Sequence, residues 1–427
     1  MMKNIKIIKN PFLLFLPFLI LYILIVFIFP TNGTFGDENR YLMFAHNLIN
    51  GFYSPPPPAI DLGNGPGYSI ILIPILKLHL PLICITILNA ILYYLSVVFV
   101  FKSLKKVASH KLSLIISVFW AFYFNSYEYL PIIYTETFVV FLISLLIFTL
   151  LKVFNSNTGK KYFFLSGFLI GYIALTKPIF GYVLTVLLAG ISFLWLINKD
   201  ASNYKKSLVI LLISLLTCSP YLIYNYHLTG RIFYWGSNGG NNLYWMTSPY
   251  EGENGSWIEY PITQIGQAKR IKGSDKIIEQ LHKEDFEEIF KYKGVQQDDV
   301  YKKIAINNIE SHPLKFLKNC FSNVGRILFN FPRAYELQKP GTLLRLPLNG
   351  IILVLALFCL IPTLINWRKI LFPLRFLLFF VLVYLGGSIL GSAETRMFTM
   401  IVPPLLVWIA FILNKTAKFS LRFGNKT

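Results

Sequence analysis

Residues 11–29 read PFLLFLPFLILYILIVFIF, nineteen positions without a charge, and residues 30–41 follow as PTNGTFGDENRY. A charge-free run of that length is enough to cross a hydrocarbon layer of roughly 30 Å. It exceeds the apolar stretch of a secretion signal and is followed by no small-residue cleavage site, so it reads as a retained span. Nine further charge-poor runs occur at 82–101, 112–127, 137–151, 162–176, 179–198, 207–226, 346–367, 376–390 and 397–413. Of 427 residues, 55% are hydrophobic and only 14% charged, against about 25% charged in an ordinary soluble domain. The expected fold class is an all-α multi-pass membrane protein with about ten transmembrane helices. Secreted, cytosolic, coiled-coil and disordered classes are excluded.

The charges orient these runs. With the N-terminus in the cytoplasm, the inner loops and tails carry twenty basic residues, from Lys3 to Lys426, against one acid, Asp200. That asymmetry follows the positive-inside rule and predicts both termini in the cytoplasm of a plasma (inner) membrane protein, with the other 19 acids outside. A short apolar run at 68–75 is too short to span, and counting it would reverse every later loop, so it reads as interfacial or re-entrant. The net charge of +20 belongs to these loops and not to a nucleic-acid surface. Cysteines at 84, 218, 320 and 359 and the six histidines show neither a disulfide framework nor metal-ligand spacing.

Three regions follow. Residues 1–226 form an N-terminal transmembrane module whose first outer loop spans 30–67. Residues 227–345, with 16 basic and 13 acidic positions, are long enough for a small extracytoplasmic domain. Residues 346–427 supply the C-terminal transmembrane helices and a basic cytoplasmic tail. Within the large loop, Ile277, Ile278, Leu281, Phe286, Ile289 and Phe290 recur at helical spacing and predict one amphipathic helix over 275–292.

In the first loop, Asp37 and Glu38 precede Arg40 and Tyr41, and Leu42, Ala45, Leu48 and Ile49 share one helical face. The expectation is an outer juxtamembrane helix with two acids in its first turn. First-turn acids also simply complement the helix macrodipole, so the pair alone does not decide its role.

Its context adds more. Downstream stand Gly65-Pro66-Gly67-Tyr68, Tyr134-Thr135-Glu136, Gly167 and Gly171 before Leu175-Thr176-Lys177-Pro178, Gly230-Arg231, His312-Pro313 and Glu394-Thr395-Arg396. In this order the chain resembles the C-superfamily (GT-C) glycosyltransferases that use polyprenyl-phosphate sugars, in the branch of the protein O-mannosyltransferases and aminoarabinose transferases. One departure is that Gly65-Pro66-Gly67 stands where the aminoarabinose transferases carry lysine-proline-proline, so a phosphate-binding lysine of that subgroup is absent.

The resemblance implies a bundle of the GT-C type that moves a sugar from a polyprenyl-phosphate donor in the lipid bilayer to an extracytoplasmic lipid, glycan or protein, by an inverting single displacement. It implies Asp37 as base, with Glu38 beside it in a catalytic or supporting role. Arg40, Lys177, Arg231 and Arg396 are the candidate cations for the donor phosphate, arginine as a bidentate partner and lysine as a point charge. Lys177 also reads as a headgroup-snorkelling lysine, and Arg396 as a local ion pair with Glu394. Tyr41, Tyr68 and Glu394 are the candidate substrate contacts. No cofactor is required, and no spacing indicates a divalent metal. A multi-pass transporter or lipid flippase is the alternative, but such proteins concentrate ionisable groups at the bilayer midplane, whereas here the acids gather in outer loops.

Overall fold

The computed structural model describes residues 10–33, 36–155, 160–197, 201–258, 271–337, 341–391 and 393–423. A short turn, α1 (Pro11–Leu14), leads into α2 (Leu16–Ile28), and α3 (Glu38–Ile49) and α4 (Pro66–Lys77) precede α5 (Ile83–Leu104). After α6 (His110–Ala121) and the single turn α7 (Phe124–Tyr127) come α8 (Thr135–Asn155), α9 (Lys161–Thr176), α10 (Ile179–Ile197) and α11 (Ala201–Thr229). Smaller polar helices follow as α12 (Gly239–Met246), α13 (Ser274–Leu281), α14 (Lys283–Ile289), α15 (Gly294–Ser311) and α16 (Pro313–Phe329). The chain returns through α17 (Gly341–Ile365), α18 (Phe372–Leu390) and α19 (Thr395–Phe423).

Seven of these helices, α5, α8, α10, α11, α17, α18 and α19, are long and apolar enough to cross a membrane. The chain is a multi-pass membrane protein. Three of the ten runs expected to span fold as shorter helices: α2 with 13 residues, α6 with 12 and α9 with 16. For α9 the stop is local. Pro178 disfavours helical geometry in the residue before it, and Lys177 is extended, with φ −131° and ψ 111°. The short run at 68–75 lies within α4, whose 12 residues reach about 18 Å, well short of a bilayer core.

The centre of the bundle is α8, packed against α5, α9 and α19. Its Val139, Ile143, Leu146, Ile147 and Leu150 are fully buried, so one helix contributes core to three neighbours. By contrast Phe27, Phe193, Leu216 and Phe358 lie exposed on α2, α10, α11 and α17. Large apolar side chains in such positions suit lipid tails, not water.

A second, smaller core joins α12 to α15 through Tyr244, Trp245, Ile278, Phe286, Ile289, Tyr301 and Ala305. The helix expected over 275–292 is instead two helices, α13 and α14, with the break at His282. The physical reason is the His282 ring, which is buried and bridges the Tyr244 hydroxyl and the Glu253 carboxylate, 3.0 Å from Nε2. Those contacts hold His282 at the helix junction and leave Ile277 and Phe290 exposed. Near the loop's end His312 caps both α15 and α16, so it ends one helix and starts the next.

For function the important packing is at one end of the bundle. There α3 packs on α4, α4 on α9, α9 on α8 and α8 on α19. The starts of α3, α8 and α19 and the end of α9 therefore meet.

Candidate active site

Asp37 owes its placement to the residue before it. Gly36 has a φ of +53°, and a Cβ there would overlap the Tyr134 hydroxyl. Only glycine meets both demands without strain. The Asp37 N–H donates to that hydroxyl oxygen at 3.2 Å. Although Asp37 is the N-cap of α3, its side chain makes no capping hydrogen bond. Instead Oδ2 accepts from Arg396 Nη1 at 3.0 Å, so the carboxylate faces across the bundle and not along its own helix.

Arg396, in the first turn of α19, also places Nε 3.7 Å from Glu136 Oε1, and its guanidinium lies 5.4 Å from the Tyr134 ring centroid. Glu136 in turn accepts from Lys177 Nζ at 2.7 Å. The result is a chain of alternating charges, Asp37, Arg396, Glu136, Lys177, drawn from four segments. Glu136 is 1% exposed, and its carboxylate sits in the first turn of α8, where the helix dipole and two cations compensate its burial.

Burial alone would raise the Asp37 pKa. The charge and hydrogen bond of Arg396, together with the smaller attraction of Arg40 and Lys177, outweigh it and hold the carboxyl below its ordinary value. Tyr41 moves the other way, because burial and then the Asp37 charge push its phenol well above its usual range. Tyr41 packs edge-on against Tyr68, with centroids 5.3 Å apart, and against Tyr134 at 6.4 Å. The three rings form an aromatic wall beside the charges.

The start of α4 is fitted as closely. A Cβ at Gly65 or Gly67 would overlap the backbone at Leu175 and Thr176, immediately before Lys177. The Gly-Pro-Gly sequence thus lets α4 rest on the end of α9, and the cation available here comes from α9.

The structure separates the other expected residues. Glu38 is fully buried and accepts from the Thr31 hydroxyl at 2.6 Å and the Ile133 N–H at 2.8 Å, tying the first loop to the segment before α8. Arg40 turns to Asp61, 2.6 Å away. Arg231 makes a bidentate pair with Asp299 and lies over Tyr234, apart from the four-residue chain. Glu394 pairs with Arg333, not with Arg396, and Arg333 also reaches Glu336 at 3.5 Å. Among the described residues no group of three or more His, Cys, Asp or Glu is arranged to hold a metal ion.

Glu136, Tyr134, Asp61 and Arg333 carry much of this geometry and received no role from the sequence. Glu136 had a usable signal: it is the acid that opens an otherwise uncharged membrane run, and an ionisable residue there calls for a partner.

No protein-family model and no curated protein matches the chain. Solved structures do. The chain is similar to the oligosaccharyltransferase of Archaeoglobus fulgidus tethered with an acceptor peptide containing the NVT sequon, at 16% identity and a TM-score of 0.52, with 96% of this chain and 50% of that chain covered. It is similar to AglB from the same organism in complex with an inhibitory peptide and a dolichol-phosphate, at 14% identity and a TM-score of 0.50, covering 97% and 52%. ArnT from Cupriavidus metallidurans bound to undecaprenyl phosphate matches at 10% identity and a TM-score of 0.38, over 96% and 80%, too loosely to relate one chain's residues to the other's. The chain spans about half the length of the oligosaccharyltransferases it matches. Its fold is similar to that of these archaeal oligosaccharyltransferases.

Proposed function

We propose that this protein is a membrane glycosyltransferase that moves a sugar from a polyprenyl-phosphate carrier to an acceptor outside the cytoplasm. The observation that carries the reading is the chain of alternating charges from Asp37 to Lys177 at the helix ends. It brings a carboxylate base and two cations together in a fold used for this class of reaction. Asp37 takes the proton of the acceptor nucleophile as its oxygen or nitrogen bonds to the anomeric carbon. The bond from that carbon to the carrier phosphate breaks, and the leaving phosphate gains a negative charge. Arg396 and Lys177 supply the compensating positive charge. A single displacement inverts the anomeric centre.

The roles differ from the wider set read from the sequence. Arg396 and Lys177 are the phosphate cations, because both belong to the charge chain that holds Asp37, whereas Arg40 and Arg231 pair outside it, with Asp61 and Asp299. Glu38 is a scaffold residue that orients the turn beside Asp37. Tyr41 and Tyr68 offer aromatic faces to the sugar or prenyl chain. Glu394 acts through Arg333, at the rim. The charge asymmetry of the loops favours cytoplasmic termini, an outward site and extracytoplasmic placement of residues 227–345 between the two membrane modules.

The test compares surface glycolipids, polysaccharides and glycoproteins by mass spectrometry in cells lacking the protein, complemented with wild type or with Asp37→Asn. One species lacking a sugar in the null strain, restored by wild type alone, is the expected result. Restoration by both forms would remove Asp37 from the chemistry, and an unchanged null strain would remove the transfer reading.

A further inference from the structure

A chamber lies beside this charge cluster, between the first outer loop and α12 and α15. It is a half-open cleft of about 330 Å³, within the roughly 300–1,000 Å³ of small-ligand sites, and Arg40, Asp61, Asn241, Lys293, Gln297 and Asp298 are among the residues that line it. Arg40 links the two regions, since it follows Asp37 on α3 and its charge still acts on that carboxylate.

The wall chemistry is mixed and nearly balanced. Arg40 and Asp61 neutralise each other at 2.6 Å. Asp298 Oδ1 accepts from the Asn241 N–H at 3.1 Å. The Asn241 side-chain oxygen has no hydrogen-bond partner among the described residues, and a buried amide oxygen in that state favours a donor. Burial pushes the Asp298 carboxyl up to about 6, against the N–H groups of Gly240 and Asn241 and the charge of Arg231, with Asp299 adding to the rise. At neutral pH it is mainly an acceptor carboxylate. A phosphate would meet these acceptor oxygens with Arg40 committed to Asp61, leaving only the exposed Lys293 among the lining cations to offset them. Vicinal hydroxyls, which donate and accept at once, suit every one of these groups.

We propose that this chamber binds one sugar unit through its hydroxyls, with Asp298 and Asn241 as the recognition residues and the Arg40–Asp61 pair as the wall toward Asp37. The proposal rests on the transfer reading of the neighbouring cluster and assigns Arg40 to sugar instead of phosphate. Donor headgroup and acceptor glycan share this chemistry.

The experiment is saturation-transfer NMR on the purified full chain in detergent, with free neutral hexoses, pentoses and N-acetylhexosamines as probes and inorganic phosphate as the control. At least one sugar gives a signal on wild type. Asp298→Asn weakens it by at least about tenfold, the effect of losing a hydrogen bond to a charged group. Gln297→Trp fills the chamber with the Asp298 carboxylate kept and abolishes the signal, and because it also removes the Gln297 hydrogen bonds to the Ile289 and Tyr292 carbonyls, an unchanged melting temperature of each variant guards against a folding defect. Asp37→Asn retains it. No sugar signal on wild type, or a signal that survives both chamber variants, overturns the proposal. The two readings separate cleanly. Sugar binding with glycans left intact by Asp37→Asn sinks the transfer reading alone, and lost transfer without sugar binding sinks the chamber alone. In a transfer assay Gln297→Trp raises KM for the lipid donor if the chamber holds the donor sugar, and for the acceptor if it holds the acceptor sugar. Unchanged KM for both contradicts the chamber.

Discussion

Arg396 Nη1 stands 3.0 Å from Asp37 Oδ2 although 359 positions separate the two residues in the chain. This contact closes the bundle, because it joins the turn before α3 to the first turn of α19. It also favours the ionised state of the carboxylate, and in the proposed reaction it holds the guanidinium ready for the leaving phosphate.

Removing the carboxylate should remove the chemistry and little else. Asp37→Asn is expected to lower transfer by about 10²–10⁴-fold, the usual contribution of a general base. Asp37→Glu retains part of the rate. The replacement amide oxygen still accepts from Arg396, so yield stays near wild type and the loss of one charge from this partly exposed pair lowers the melting temperature only slightly. Transfer assays in isolated membranes beside a melting curve check both halves.

The pH profile should report the Arg396 contact. Burial raises the Asp37 pKa and Arg396 lowers it below its ordinary value. Taking away the guanidinium in Arg396→Gln leaves burial less opposed, so the pKa rises and the acid limb of the rate profile moves to higher pH. An acid limb in Arg396→Gln that stays at the wild-type pH, with the rate merely scaled down, would show that Asp37 is not the titrating base. Lys177→Gln shifts the limb less, because its attraction to Asp37 is weaker.

Glu38 should behave as a structural residue. Glu38→Ala leaves the buried Ile133 N–H and the Thr31 hydroxyl without this acceptor. An unsatisfied buried donor costs about 1–3 kcal/mol, so the melting temperature falls. Glu38→Gln keeps one carbonyl oxygen for these donors and recovers most of the loss. A large fall in kcat for Glu38→Gln at unchanged melting temperature would place Glu38 in the chemistry instead.

The Gly-Pro-Gly start of α4 gives a packing test. Gly67→Ala puts a methyl group against the backbone of Leu175 and Thr176. Overpacking of this kind costs about 1–3 kcal/mol, and here the displaced atoms adjoin Lys177. The expected outcome is a lower melting temperature together with a higher KM for the lipid donor. Gly239→Ala, with open space around its Cβ, is the control and leaves both unchanged.

What the sequence disclosed and what it hid have the same physical origin. The seven long apolar helices were legible because charge-free length is a local property of the chain. Lys177 and Arg396 stood out because basic residues on the outer side are few outside the large loop, whereas Asp37 entered through the family resemblance, since acids in a first helical turn are common. Their partners were not legible. Nothing near residue 396 says that it meets residue 37 and not Glu394, since that choice is made by the packing of α8 against α19 and α9. The break at His282 was hidden for a related reason. Its partners, Tyr244 and Glu253, lie on other segments, and helical periodicity carries no trace of them.

Native mass spectrometry of the purified Asp37→Asn protein tests the central claim most directly. Without its base the enzyme should bind donor and not consume it. The account predicts an adduct with the mass of a polyprenyl phosphate bearing one sugar, abundant on Asp37→Asn, depleted on wild type given acceptor-containing membranes, and lost when Lys177 and Arg396 are both replaced by glutamine. The absence of any polyprenyl-phosphate adduct from both wild type and Asp37→Asn, or an adduct unaffected by the double replacement, would contradict it.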